Sequence, residues 1–226
     1  MGMSVVGVDA CKSGWIAVVL RGTDVSAVYL HGVSDLAAVI PDAEVIAIDI
    51  PIGLPEDGRR AADVAAKNLL GPRGSTLFYV PVRAALEAAS HDEATRISTK
   101  LTGQGISQQS FALKKKIFEV EEWLPEAPCP VYEVHPEVSF VKLRNAPLTS
   151  SKKTWTGMLQ RRDALKRVGI DLDEIGGDVG RQAAVDDMLD AGVAAWSARR
   201  LLEGLQGSMP ATPELGPLGE KMAIWF

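Results

Sequence analysis

Cysteine is nearly absent from this 226-residue chain: Cys11 and Cys129 are its only two. Two cysteines cannot build a disulfide framework, and neither stands in the C-x-x-C pair that would suggest zinc or redox work. Both read as small hydrophobic residues. Cys11 as a nucleophile would need an activating base, and no histidine lies near it in sequence. Long apolar runs are missing too. The stretch SVVGVDACKSGWIAVVL is interrupted by Asp9, Lys12 and Gly14, so it falls short of a membrane span, and no charged region at the amino terminus leads into a cleavable signal. The expectations are no membrane partner and a cytoplasmic location. There is no compositional block resembling a disordered tail, no low-complexity linker and no internal repeat. An excess of positive charge is also lacking. A net charge of -5 and a pI near 5.3 argue against a protein that coats nucleic acid non-specifically, because that affinity comes from neutralising phosphates.

What is present is 46% hydrophobic residues, enough for a sizeable core. The reading is one domain over residues 1–226 with a helical insertion at about 59–125. Charge is unevenly spread: between Leu113 and Ile170 eleven Lys and Arg face seven Asp and Glu. Lys114 to Lys116, Lys152, Lys153, Arg161, Arg162, Lys166 and Arg167 could line a phosphate-facing surface. They could equally be the solvated faces of two amphipathic helices.

The first third patterns as strands at Ser4–Asp9, Trp15–Leu20 and Val25–His31, with turns short enough for antiparallel neighbours. A short helix from Ser34, as cap, to Ile40 leads to a fourth strand at Val45–Ile50, and that intervening helix suits a parallel return. Ala-rich helical patterns follow from Arg59 to Thr102, broken by GPRGSTLFYVP, and one longer helix is expected from Gln108 to about Leu124. CPVYEVHPEVSF supplies a fifth strand at Val131–Val134. A basic helix covers about Trp155 to Val168, and AAVDDMLDAGVAAWSARRLL reads as a helix with no charge between Asp190 and Arg199, hence largely buried.

Asp9 closes the first strand and Asp49 the fourth, each inside an apolar run where an ionised carboxylate is costly without a partner. If those strands are parallel neighbours, both acids meet in one crevice at the carboxyl ends of the strands, where ligands collect in open sheets. Two facing carboxylates stay ionised only around a positive charge, and a divalent ion supplies it. Asp187 and Asp190 on the last helix share a face, with Asp186 an alternative to Asp187. Each acid also has a plain structural reading: a turn at Asp9, a turn beyond Pro51 for Asp49, and complement to the helix dipole for the last group.

Together, GVDACKSGWIAV, IDIPIGLP, GRRAADVAAKNLLGPRGS, GQGISQQSFALKKKIFEVE, YEVHPEVSF, SKKT, DDMLDA and KMAIWF resemble, over the whole chain, a family catalogued as a domain of unknown function and predicted to be a nuclease with a ribonuclease H-like fold. That resemblance implies an α/β fold with a five-stranded mixed sheet in order 3-2-1-4-5, strand 2 antiparallel, and helices on both faces. The acid pattern is similar to that of Holliday-junction resolvases and implies that Asp9, Asp49, Asp187 and Asp190 are metal-ligating and catalytic. Glu133, His135 and Glu137 are family motif residues outside the resolvase pattern; Glu133 and His135 join the catalytic candidates, and His135, before Pro136, is alternatively a structural hydrogen-bonder. Ala10 and Ser13 stand where glycines are expected after the first acid, and Ala62 where a cysteine is common.

The leading functional expectation is a hydrolase: a nuclease that uses Mg²⁺ or Mn²⁺ at a two-metal acid cluster to cleave a phosphodiester, with nucleic acid or another phosphodiester as substrate. Alternatives are a non-catalytic module of the same fold that binds nucleic acid or protein, and an ATP-using enzyme of the actin and sugar-kinase type. The last needs a duplicated core for which this chain is short. GQGISQ could hold phosphate through backbone amides. Oligomeric state is left open, a homodimer included.

Overall fold

The computed structural model describes residues 4–226. In chain order the elements are β1 (Ser4–Cys11), β2 (Gly14–Arg21), β3 (Asp24–Leu30), α1 (Leu36–Val39), β4 (Ala43–Ile48), α2 (Ala61–Leu70), α3 (Arg83–Glu87), α4 (His91–Thr102), α5 (Gln108–Ala112), α6 (Lys114–Trp123), β5 (Val131–Glu133), α7 (Pro136–Arg144), α8 (Trp155–Lys166), α9 (Gly177–Gln182), α10 (Val185–Leu202), β6 (Ser208–Leu215) and β7 (Lys221–Trp225). The chain is α/β, with a five-stranded mixed sheet in order β3-β2-β1-β4-β5. β2 runs antiparallel to both of its neighbours, while β1, β4 and β5 are mutually parallel.

Two compact units are present. The first holds the described residues up to Ile50, Trp123–Gly207 and Trp225–Phe226; the second holds Pro51–Glu122 and Ser208–Ile224. In the first unit, β1 and β2 are built from β-branched and small apolar residues that suit a pleated surface buried on both sides. Val5, Ile16, Val18 and Ala47 join a core with Val193, Ala194 and Trp196 of α10, and the alternate residues Val6, Val8, Ile46 and Ile48 are also fully buried. α10 is buried along most of its length, as its uncharged run predicted. It lies so close to β1 that a Cβ on Gly7 would collide with the backbone of Ala191, Ala194 and Ala195. Helix and strand can touch there only because one side offers glycine and the other alanines. No described helix is long and apolar enough to cross a membrane.

Several boundaries differ from the sequence expectation. Ser34 is no cap: the turn before α1 is held by the Asp35 carboxylate, which accepts from the backbone N–H groups of His31 and Gly32 at 3.1 and 3.0 Å. The single helix expected from Gln108 is two, α5 and α6, parted at Leu113. The antiparallel-looking tail was not anticipated: β6 and β7 form a two-stranded sheet. SMPATPEL carries two prolines, which reads poorly as a strand but is tolerated in a ribbon that has a free edge. In the second unit, the chain turns after β4 at Gly53, whose φ of +87° and whose contact with Met222 and Glu220 both exclude a side chain.

Candidate metal centre

Parallel pairing of β1 with β4 sets the centre. Val8 lies opposite Ile48, and the Asp49 N–H donates to Val8 O at 2.9 Å, so Asp49, just past β4, stands level with Asp9. Asp9 does not close β1 as the sequence suggested: the strand runs on to Cys11, with Asp9 paired to Ile16 of β2. Gly7 and Asp9 are two residues apart and share a face of β1. The close approach of α10 at Gly7 therefore brings the residue just before Ala191, Asp190, over the same strand end. The result is a group in which one oxygen each from Asp9, Asp49 and Asp190 lies within 4.8 Å of the others. Oxygens around one magnesium ion are spaced about 3 to 4.2 Å apart, given metal–oxygen distances of about 2.1 Å. The three carboxylates thus match a divalent-ion site after a small inward movement.

Asp9 and Asp190 are 7% and 1% exposed, and Asp49 keeps partial contact with solvent. Loss of hydration is the main reason all three resist ionisation. It pushes Asp9 well above the ordinary carboxyl value, and the charges of Asp49 and Asp190 push further. It raises Asp49 to about 8, helped by Asp190, Glu133 and Glu137. Asp190 rises to about 6 through burial, against the opposing charge and hydrogen bond of Lys152. Three like charges this close share protons as one system.

Lys152 is the protein's own answer to this charge, and sequence reading did not place it here. Its Nζ donates to Asp190 Oδ2 at 2.5 Å and lies 3.7 Å from Asp186 Oδ2. Burial works against its ammonium, but Asp190, Asp49 and Asp9 outweigh that and hold it charged. One lysine cannot balance three carboxylates. Asp190 Oδ1 is buried and has no hydrogen-bond partner among the described residues, the kind of orphaned acceptor that a cation would satisfy. The donor set, all hard carboxylate oxygen, fits Mg²⁺ or Mn²⁺ better than a softer metal.

The remaining predicted residues are spread around this group. Asp187 stands outside the three-acid set. Its Oδ2 accepts from the N–H of Ala184 at 3.3 Å, closing the first turn of α10, although its charge still reaches Asp9. Asp186 faces Lys153 at 2.5 Å; burial disfavours its charge, but that bond and the charges of Lys152 and Lys153 win and hold it below the ordinary value. Glu133 is buried opposite Ile48 in the β4–β5 register and adds negative charge at Asp49. His135 is the half-buried N-cap residue of α7, and its backbone carbonyl accepts from Ser139 N. Glu137 forms a buried ion pair with Arg161.

The basic segment is largely spoken for. Besides Lys152, Lys153 and Arg161, both Arg162 and Lys166 pair with Asp173, and Lys116 with Glu119. A continuous phosphate-guiding surface from these residues, one of the two sequence readings, loses most of its members. The signals that could have exposed Lys152 and Gly7 were faint: a lysine in SKKT and a glycine two residues before Asp9.

Residues 7–215 match the model of a family described as "Protein of unknown function (DUF429)". The chain belongs to that family. No curated protein and no solved structure matches it. Membership accounts for nearly the whole chain and assigns no activity, so the chemistry must be argued from the centre itself.

Proposed function

We propose that the chain is a metal-dependent nuclease of ribonuclease H-like fold, hydrolysing phosphodiesters at Asp9, Asp49 and Asp190. The observation that carries this reading is the convergence of those three carboxylates from three separate elements, with too little protein cation to balance them and an orphaned oxygen on Asp190. A divalent ion bound there would polarise the phosphate and lower the pKa of an attacking water. Asp49, the least buried of the three, would face the water and the substrate. Glu133 and His135 flank the strand ends and are the candidates for moving protons near the reacting phosphate. Asp187 would contribute through its charge and through holding the first turn of α10. The reading also supposes Mg²⁺ or Mn²⁺ as the ion, nucleic acid or another phosphodiester as substrate, and a cytoplasmic setting.

The test is a hydrolysis screen over single- and double-stranded DNA, RNA, four-way junctions and small phosphodiesters, with Mg²⁺ and with Mn²⁺. Asp49→Asn is the control and is expected to abolish any activity found. Absence of Mn²⁺ binding by the wild-type chain in calorimetry would remove the basis of the proposal.

One observation favours a second reading, a binding module of the same fold without catalysis. Lys152 already meets Asp190, as in a structural ion pair. A module of that kind would show no stabilisation by Mn²⁺, whereas a working centre is stabilised by any ion that binds only the native state.

A further inference from the structure

The second unit contains a cavity of about 350 Å³, a volume in the range of small-ligand sites. It is lined by two stretches that the acid centre does not use: the GPRGSTLFYVP loop and GQGISQ. Its lining holds two cations, Arg59 and Lys67, a series of hydroxyl and amide side chains, and no carboxylate at all. Neighbouring Arg60 is buried and neutralised by Asp63. Arg59 and Lys67 make no ion pair among the described residues, and no acid of the cavity stands ready to take them.

Both are nevertheless held in place. The Arg59 guanidinium lies 3.9 Å from the centroid of the Tyr79 ring and the Lys67 ammonium 4.6 Å from it. Lys67 Nζ also donates to the carbonyls of Gly74, at 2.9 Å, and Leu77. An ammonium has three N–H donors, so one remains for a ligand. Two ordered cations on one aromatic ring, facing a polar cavity without acids, constitute a preorganised anion receptor, since their ordering cost is met before a ligand arrives.

We propose that this cavity binds a phosphate-bearing ligand of nucleotide size, through Arg59 and Lys67, independently of the acid centre. Charge selects the phosphate, and the exposed side chains of Ser75, Gln104 and Gln109 give the neutral part of the ligand its hydrogen bonds. The proposal stands whether or not the acid centre proves to be a nuclease.

Calorimetric titration of the full chain with pyrophosphate and with adenosine 5′-monophosphate, in EDTA so that no metal bridges them to the acid centre, tests it. Adenosine is the uncharged control. Saturable binding of at least one of the two anions, with adenosine binding neither as tightly nor at all, is expected. Arg59→Ala removes an exposed side chain and should weaken that binding about tenfold while leaving Mn²⁺ binding unchanged. Lys67→Met should do the same; should loss of its bonds to Gly74 and Leu77 unfold the chain, Arg59→Ala alone decides. Failure of both anions to bind, equal binding of adenosine, or undiminished binding by Arg59→Ala would overturn the proposal.

Discussion

Asp63 in the second unit and Asp190 in the first are both 1% exposed, and their surroundings could hardly differ more. Asp63 receives Arg60 Nη2 at 2.6 Å, Arg60 Nε at 3.2 Å and the backbone N–H of Val80 at 2.8 Å. Its charge is matched by one cation and both oxygens are bonded. Asp190 has Lys152 on one oxygen and no hydrogen-bond partner on the other, and it shares that lysine's field with Asp9 and Asp49. A buried acid is therefore no sign of function by itself. The informative feature is a buried acid whose charge and lone pairs the protein leaves unmet.

That contrast can be broken from either side. The largest effect is expected at the satisfied acid: Asp63→Ala strands Arg60 and should cost about 3–5 kcal/mol in denaturant unfolding. A loss under about 1 kcal/mol would mean that Asp63 is not the structural member of the comparison. At the unmet cluster the sign reverses. Asp49→Asn should leave metal-free stability at pH 8 unchanged or raise it, while abolishing the thermal shift produced by Mn²⁺. Clear destabilisation of the metal-free variant would assign Asp49 to structure instead.

The pH dependence follows from the raised carboxyls. Below the ordinary value of 3.8 the folded and unfolded chains are equally protonated, and the cluster's contribution is complete. As pH rises, the unfolded chain releases protons that the native cluster keeps, so stability falls until about 6 for Asp190 and about 8 for Asp49. The three acids titrate as one system, so the decline is a single broad fall across this window. Denaturant unfolding at pH 5 and pH 8 in EDTA should show this decline relative to Asp49→Asn. Saturating Mn²⁺ should cancel it, because the metal binds the deprotonated carboxylates.

Gly7→Ala sharpens the geometric half of the comparison. Its Cβ would collide with the α10 backbone, so a cost of about 3 kcal/mol should come with weaker Mn²⁺ binding as Asp190 moves off the strand. Full Mn²⁺ binding by this variant would show that the close approach is dispensable. For Lys152→Ala a cost of about 1–3 kcal/mol is expected, because buried Asp190 loses its one cation and answers by taking up a proton. Its decisive readout is Mn²⁺ affinity, which should rise because a competing cation has left Asp190.

Much of this was legible in the chain itself. Short apolar runs bounded by turn residues located all five strands of the main sheet, and the uncharged run after Asp190 identified α10 as a buried helix. Those patterns record which side chains must leave water, and any fold of this sequence has to satisfy them. Asp9 and Asp49 were visible as acids inside apolar strands for the same reason. The hairpin of β6 and β7 was not, because its two prolines mask the strand pattern and its pairing is set by the partner strand rather than by local propensity.

Three things were decided only in three dimensions. Whether Asp186, Asp187 or Asp190 reaches the strand ends depends on the rotation of α10, which the fit of Gly7 against Ala191, Ala194 and Ala195 determines. Lys152 meets Asp190 across 38 positions of chain, and Arg59 and Lys67 gather on Tyr79, with no spacing rule that announces either. Sequence patterns report each residue's preference for water or core, a property of that residue and its near neighbours. Which charges end up facing one another is a property of how the elements pack, and a chain of 226 residues carries no local mark of it.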